Sequence, residues 1–320
     1  MLSRVADSLY WMSRYLERAE HTGRLLDVNL SLMLDKLGTS AERRWRRLLL
    51  ALGSPSTLVW DGNYQRLAES LTFDGTNPAS VSACIITARE NARQVRDEIS
   101  SEQWQQLNRM YHQVMEAHTE GELYADVQKF LPFVIDGIHL FHGITDTTMS
   151  HGEGWNLIQL GRYIERAAAT ATLLDHYYHE HAMAADKQND PYHYLEDIGL
   201  LRCCTAFEAY CKVYTADLTS DQVLEFLLLN REFPHSVRYS VDCVRQALLA
   251  IQQESGHQPA DELTRLTGRL QASLSFVDIS DVLSQDVDAY LRNILQQCRR
   301  IHDRFYRVYI NYSVQTALAM

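Results

Sequence analysis

Apolar residues in the first stretch of the chain recur every three or four positions, which is the spacing of one face of an α-helix. This stripe runs from Leu2 to Leu37 and includes two small members, Ala19 and Gly23. Small side chains let a second helix come close, so we expect a helix contact at their level. Gly38 follows the last apolar position and predicts the end of the helix.

Shorter runs with the same spacing predict helices along the rest of the chain. They fall near 41–52, 63–72, 78–99, 101–119, 123–143, 155–184, 192–214, 220–229, 234–254, 259–275 and 279–312. Asn77 followed by Pro78 is a typical helix start, because Asn caps the first turn and Pro is preset for it. No stretch alternates with a period of two, so we predict an all-α fold without a sheet.

The two long helices carry the same motif, Arg-Tyr-(Leu/Ile)-Glu-Arg-Ala. Residues 14–27 read RYLERAEHTGRLLD and residues 162–175 read RYIERAAATATLLD, with nine of fourteen positions identical. A second block repeats in the same order, and it aligns Pro78 with Pro234 and Ser80 with Ser236. Two blocks in one order are better explained by duplication than by chance.

The predicted architecture is therefore an internally duplicated helical bundle in a pseudo-twofold arrangement, with two long motif-bearing helices. Its repeats would be residues 1–148 and 149–320, packed as one compact unit. A length of 320 residues with 46% hydrophobic content is enough for such a core, and 14 Gly and 6 Pro interrupt it rarely.

Charge and cysteine content narrow the class of protein further. The formal net charge of −11 disfavours nucleic acid and anionic membranes as partners. The six cysteines form no CxxC pair, so we expect reduced thiols in a reducing compartment. No signal peptide is apparent, and no stretch approaches the ~20 apolar residues of a membrane span. A cytoplasmic, bacterial-type protein is expected.

The repeated motif offers candidate chemistry on one side of each long helix. Residues three or four positions apart are neighbours on a helix surface, so its arginines and glutamates can act together. In one interpretation they form buried ion pairs that specify helix packing. In the other they form a ligand site, with the glutamates as catalytic candidates and the arginines binding carboxylate or phosphate. The glutamates are Glu17 and Glu165, and the arginines are Arg14, Arg18, Arg162 and Arg166.

A charge-dense segment beginning at Ala88 is a second candidate. Arg89 and Arg93 lie on one edge of a predicted helix, with Glu90 and Asn91 between them. The segment can be a salt-bridged exposed helix face or an anion-binding edge beside the motif.

Metal chemistry receives weaker support. His139 and His142 share a helical face, as a ligand pair would, but hydrogen-bonded histidines in a helix contact have the same spacing. Glu17 and Glu20-His21 approach the Glu-x-x-His pattern of di-iron bundles in the wrong register. No metal or cofactor is expected, and no phosphate-binding glycine loop or nucleophile elbow is present.

Several longer motifs together resemble the bacterial Alpha-E family. They are LYWMSRYLERAEHTGRLLD, TARENARQVRDEISSEQW, FVIDGIHLFHGITDTTMSHGEGW, LGRYIERA and EFLLLNREFPHSVRYS, and they span nearly the whole chain. The family's Glu-Arg motif falls on Glu17-Arg18 and Glu165-Arg166, and its Arg-Glu-Asn motif begins at Arg89. Its Gly-Glu-Gly-Trp motif falls on 152–155. The position before this motif is often basic in the family, and here it is His151.

The resemblance implies a setting more than an activity. Members accompany, or are fused to, a circularly permuted ATP-grasp protein, and a transglutaminase-like peptidase is often encoded nearby. Such systems are proposed to make or modify peptide-like amide bonds. Two hypotheses follow. In the first, which we favour, the chain is a non-catalytic accessory component that docks on the ligase or shapes its peptide site. In the second, it is an enzyme that acts on a peptide-like or carboxylate-bearing product through the Glu-Arg motifs. A deep pocket at both motifs would favour the enzyme, and a saturated Arg-Glu lattice would favour the accessory component.

Overall fold

Helices make up the regular structure of the residues that the computed structural model describes. These are residues 1–34, 41–53, 58–117, 123–183, 191–215, 218–255 and 261–311. In chain order the helices are α1 (Ser3–Leu34), α2 (Ala41–Ala51), α3 (Tyr64–Phe73), α4 (Val81–Gln94), α5 (Ser101–Ala117), α6 (Leu123–Thr148), α7 (Glu153–Met183), α8 (Pro191–Cys203), α9 (Phe207–Tyr214), α10 (Ser220–Leu229), α11 (Val237–Ser255), α12 (Asp261–Phe276), α13 (Ile279–Leu283) and α14 (Val287–Phe305). A π-helical turn, Tyr306–Ile310, follows α14. No strand occurs among the described residues, so the all-α prediction is confirmed.

The apolar stripe of α1 lies in the core, as its spacing predicts. Leu9, Met12, Leu16 and Leu26 are all fully buried. Because Glu17 on another side of the helix is buried as well, α1 is enclosed on more than one face. The predicted helix end at Gly38 lies outside the described residues.

The helices around α1 and α7 are arranged in the same order. Helix α1 packs against α4, α6 and α7, while α7 packs against α11, α14 and α1. Helix α5 bridges α4 and α6, and α12 bridges α11 and α14. Two repeats would produce this arrangement. The duplication itself and its boundary at 148/149 remain predictions.

The second repeated block forms the same local structure twice. Ser80 caps α4, and its hydroxyl donates to the backbone oxygen of Asp74 at 2.7 Å. Ser236, which aligns with Ser80, donates in the same way to the backbone oxygen of Asn230. The expected helix start at Asn77 is three residues early, because Ser80 supplies the cap and α4 begins only after it.

Two predicted helices are divided in the structure. The expected helix over 192–214 breaks after α8, where Thr205 has a positive φ of 51° that a continuous helix does not allow. The expected helix over 279–312 is divided into α13 and α14, and the side chain of Asp286 caps the start of α14. All six cysteines are free thiols. None of the described helices is long and apolar enough to cross a membrane.

Candidate functional site

The two long helices come into very close contact where Gly161 of α7 meets α1. A Cβ at Gly161 would lie 2.1 Å from Ser13 Oγ and 2.4 Å from the backbone oxygen of Tyr10, so glycine is required there. Gly23 meets α6 instead, where an added Cβ would lie an ordinary 3.5 Å from Ile135. The expected helix contact at the level of Ala19 and Gly23 is therefore made by α6, whereas the tight approach at Gly161 was not predicted.

Just beyond this crossing, Glu165 of α7 accepts hydrogen bonds from two arginines of α1. Its Oε2 lies 2.7 Å from Arg14 Nε and 2.6 Å from Arg14 Nη2. Its Oε1 lies 2.8 Å from both Nε and Nη2 of Arg18. Each arginine thus presents two nitrogens to one oxygen, and both oxygens of Glu165 are occupied.

The reciprocal pair joins Glu17 of α1 to Arg166 of α7. Arg166 Nε lies 2.5 Å from Glu17 Oε1, and Arg166 Nη2 lies 2.7 Å from Glu17 Oε2. Arg162 is looser, with its Nε 3.9 Å from Glu17 Oε2. The catalytic and anion-binding candidates of both motif copies are therefore brought together, and each copy binds the other across the helix contact.

Burial and electrostatics differ between the two pairs. The side chains of Glu17 and Arg166 are each 3% exposed, whereas Arg18 beside Glu165 is 30% exposed. Burial raises the pKa of Glu165, but the charges of Arg14 and Arg18 outweigh it and hold the pKa below its ordinary value. Burial raises the pKa of Glu17, and the negative Glu20 adds to the increase against the opposing effect of Arg166.

An aromatic cluster, which sequence reasoning missed, covers Arg14. Its guanidinium carbon lies 4.6 Å from the ring centre of Trp11, and its Nη1 lies 3.2 Å from Nδ1 of His302 on α14. The Tyr10 hydroxyl lies 2.8 Å from the same His302 nitrogen. The only signal in the sequence was the density of Tyr and Trp around Arg14, which shows nothing about contact with α14.

The charge-dense segment of α4 makes its contacts with its own helix and α5. Arg89 lies over the rings of Trp104 and Tyr111, at 5.3 and 4.7 Å, and donates to Glu90 at 2.8 Å. Arg93 Nε lies 3.0 Å from Glu90. Asn91 donates to a backbone oxygen of α4, that of Thr87, at 2.9 Å. Among the described residues, these contacts do not join the segment to the Glu-Arg pairs, so it forms a salt-bridged helix edge of its own.

The histidine pair of α6 faces the more buried of the two motif copies. His139 Nε2 lies 2.8 Å from Oε1 of Glu20, a buried carboxylate one turn beyond Glu17. His142 is 5% exposed and lies in the same group. The sequence placed the two histidines on one face, but it could not show that Glu20 of α1 lies opposite them.

Space beside the motifs is small. A cavity of about 10 Å³ adjoins the Glu17 copy, which is room for about one water molecule. It is lined by Glu17, Glu20, His21, Arg24, Arg166, Ala169, Thr170, Cys203, Cys204, Thr205 and His235. A larger hollow of about 420 Å³ is lined by residues between Leu58 and Asp74, none of which belongs to a motif. Neither of these two cavities reaches both motifs, and the described residues pair both motif glutamates with arginines, while Arg162 Nε makes no hydrogen bond.

These features define an all-α bundle whose two central helices are joined by reciprocal Glu-Arg pairs. The model of the Alpha-E family, described as a predicted alpha-helical domain with a conserved ER motif, matches residues 1–310. The chain belongs to the Alpha-E family.

The curated relatives are mycobacterial proteins without a described function. The uncharacterized proteins Mb2597 of Mycobacterium bovis and MT2643 of Mycobacterium tuberculosis are each 25% identical over 301 residues. A third, Rv2567 of Mycobacterium tuberculosis, is 24% identical over the same length. Each alignment covers 84% of this chain and 32% of the relative, so the chain spans about a third of the length of these proteins. No solved structure matches the chain.

Proposed function

We propose that this chain is a non-catalytic, cytoplasmic accessory component of an ATP-grasp-type peptide or amide ligase system, docking on the ligase or shaping its peptide site. The observation that carries the proposal is the reciprocal pairing of the motif. Both oxygens of Glu165 are occupied by Arg14 and Arg18, and both oxygens of Glu17 by Arg166. Carboxylates engaged in this way position helices, because each of their oxygens already accepts from an arginine of the facing helix.

The lengths of the relatives support a role alongside other domains. The region similar to this chain makes up 32% of each mycobacterial protein. In those proteins a domain of this type is thus one part of a much longer chain.

The resemblance to Alpha-E systems names the partner to test, a circularly permuted ATP-grasp protein encoded near this chain. The two proteins should be co-expressed with a tag on one of them, and ATP consumption should be measured with amino acids or short peptides as substrates. We expect co-purification and a change in the rate or substrate range of ATP consumption when this chain is present. Neither binding nor any effect on the ligase would refute the proposal.

The same assay distinguishes the enzymatic alternative. Glu17→Gln and Glu165→Gln should be compared with the wild type for melting temperature, ligase binding and conversion of the ligase product. An accessory role predicts that any loss of activity accompanies loss of binding or a lower melting temperature. Loss of product conversion with unchanged melting and unchanged binding would show that a motif glutamate acts on a substrate.

A further inference from the structure

Nitrogen and oxygen donors from separate elements converge on Glu20. His139 Nε2 of α6 lies 2.8 Å from Glu20 Oε1, and Nε2 of His235, which precedes α11, lies 4.0 Å from the same atom. A ring nitrogen of His142 and one carboxylate oxygen each of Glu17 and Glu20 all lie within 4.8 Å of one another. Imidazole and carboxylate together are the donor set that proteins offer to first-row divalent cations.

Two of these buried side chains have atoms without a hydrogen-bond partner. Glu20 Oε2 and His142 Nε2 make no hydrogen bond among the described residues, although the side chains are only 3% and 5% exposed. Arg166 Nη2 lies 3.7 Å from that Glu20 oxygen, beyond hydrogen-bond distance. Buried polar atoms are nearly always satisfied in folded proteins, so these two atoms of one donor cluster are available to an occupant.

We propose that Glu17, Glu20 and His142 bind one first-row divalent cation, of the class Zn²⁺, Fe²⁺ or Mn²⁺, and that His139 orients Glu20 through its hydrogen bond. Glu17 keeps Arg166 as its hydrogen-bond partner, and each of its oxygens retains a lone pair that can reach the ion. One histidine and two carboxylates leave coordination positions open, and these can be taken by water or by a ligand oxygen.

The arrangement also indicates how the ion reaches the site and how many ions each chain binds. The side chain of His139 is 47% exposed, so this edge of the site reaches solvent. In the other motif copy, Ala168 and Ala169 stand where Glu20 and His21 stand in the first. That copy lacks the corresponding carboxylate, so we expect one ion per chain.

The experiment uses the purified full chain. Its zinc, iron and manganese content is measured by mass spectrometry, and the chelator-treated protein is then titrated calorimetrically with Zn²⁺, Mn²⁺ and anaerobic Fe²⁺. We expect about one equivalent of one of these ions at saturation. Substitution with Co²⁺ should give visible d–d absorption bands that report nitrogen ligation. Binding weaker than about 1 mM for all three ions would overturn the proposal.

Variants decide which residues ligate. His139→Ala is the primary variant, because its half-exposed side chain can be removed without opening the core, and we expect at least a tenfold loss of affinity. Glu20→Gln and His142→Ala should lose binding altogether where they fold, as judged by circular dichroism. The matched control is His112→Ala, an exposed histidine of α5, which should bind as the wild type does. Wild-type affinity in a folded Glu20→Gln or His142→Ala variant, or a crystal structure of metal-treated protein with only water between Glu20 and His142, would refute the site.

Discussion

The two copies of the Glu-Arg motif share residue types and spacing but lie in different environments. Around Glu165, two arginines donate to one carboxylate, and the group reaches the surface through Arg18. Around Glu17, a single fully paired arginine, Arg166, lies in the interior next to a second carboxylate, Glu20. The shared motif therefore joins the helices, and the neighbouring residues determine what else each copy can do.

The difference begins immediately after each motif. Helix α1 continues with Glu20 and His21, whereas α7 continues with Ala168 and Ala169. The alanines bring no further charge toward Glu165, and its pKa is lowered by its two arginines. Glu20 brings a second negative charge toward Glu17, and the histidines of α6 lie around it. A change at two positions thus separates a purely structural ion pair from a candidate metal site.

The largest expected difference between the copies is the effect of removing one arginine. Arg166→Met leaves Glu17 and Glu20 buried without their cation, and the free energy of unfolding should fall by about 3–5 kcal/mol. Arg18→Met, the same change at the equivalent position of α1, leaves Glu165 paired with Arg14 and should cost about 1 kcal/mol or less. Urea unfolding at neutral pH measures both. Equal losses in the two variants would mean that the environments of the copies are energetically the same.

The sequence predicted the helices and the involvement of the motif better than it predicted the site. Apolar spacing is a local property, so the positions of α1 and α7 and the burial of Leu16 followed from it. The position of Gly161 opposite Ser13 depends on how two distant helices cross, and no local pattern encodes that crossing. The meeting of Glu20 with His139 is of the same kind, because the two residues are joined only by the tertiary packing of α1 on α6.

Helix boundaries were missed for a different reason. The break at Thr205 occurs inside a continuous helical pattern, and the residue adopts a positive φ without a glycine or proline to announce it. The start of α4 was placed at Asn77 because two capping signals stand close together, and the structure uses the later one, Ser80. Local signals of similar strength cannot be ranked without the tertiary contacts that select one of them.

The second difference between the copies is their response to pH. The folded-state pKa of Glu165 is lowered, so its contribution to stability is present above the unfolded pKa of about 4.3 and is lost as the pH falls through the folded value. Glu165→Gln should therefore reduce the free energy of unfolding by about 1.5–3 kcal/mol at pH 7, and the gap to wild type should narrow below about pH 4. Urea unfolding at both pH values, with chelator present, checks this.

Glu17→Gln is the control for that measurement because the pKa shift has the opposite sign. The folded-state pKa of Glu17 is raised, so the ionised form is disfavoured and the contribution of this group decreases as the pH rises. The gap between wild type and Glu17→Gln should widen, not narrow, as the pH falls. The same trend in both variants would show that the two carboxylates do not differ electrostatically.

The smallest effect concerns the crossing that positions both copies. Gly161→Ala should cost about 1–3 kcal/mol, because the new Cβ overlaps Ser13 Oγ and the backbone oxygen of Tyr10. Gly23→Ala, on the same kind of helix but with ordinary clearance from Ile135, should be neutral or stabilising by up to about 1 kcal/mol. Thermal and urea unfolding of the two variants provide the comparison.

Adding Ser13→Gly to Gly161→Ala removes the hydroxyl but leaves the Tyr10 oxygen, which belongs to the backbone, in place. The double variant should therefore recover only part of the lost stability, and full recovery would mean that the side chain of Ser13 alone sets the distance between α1 and α7.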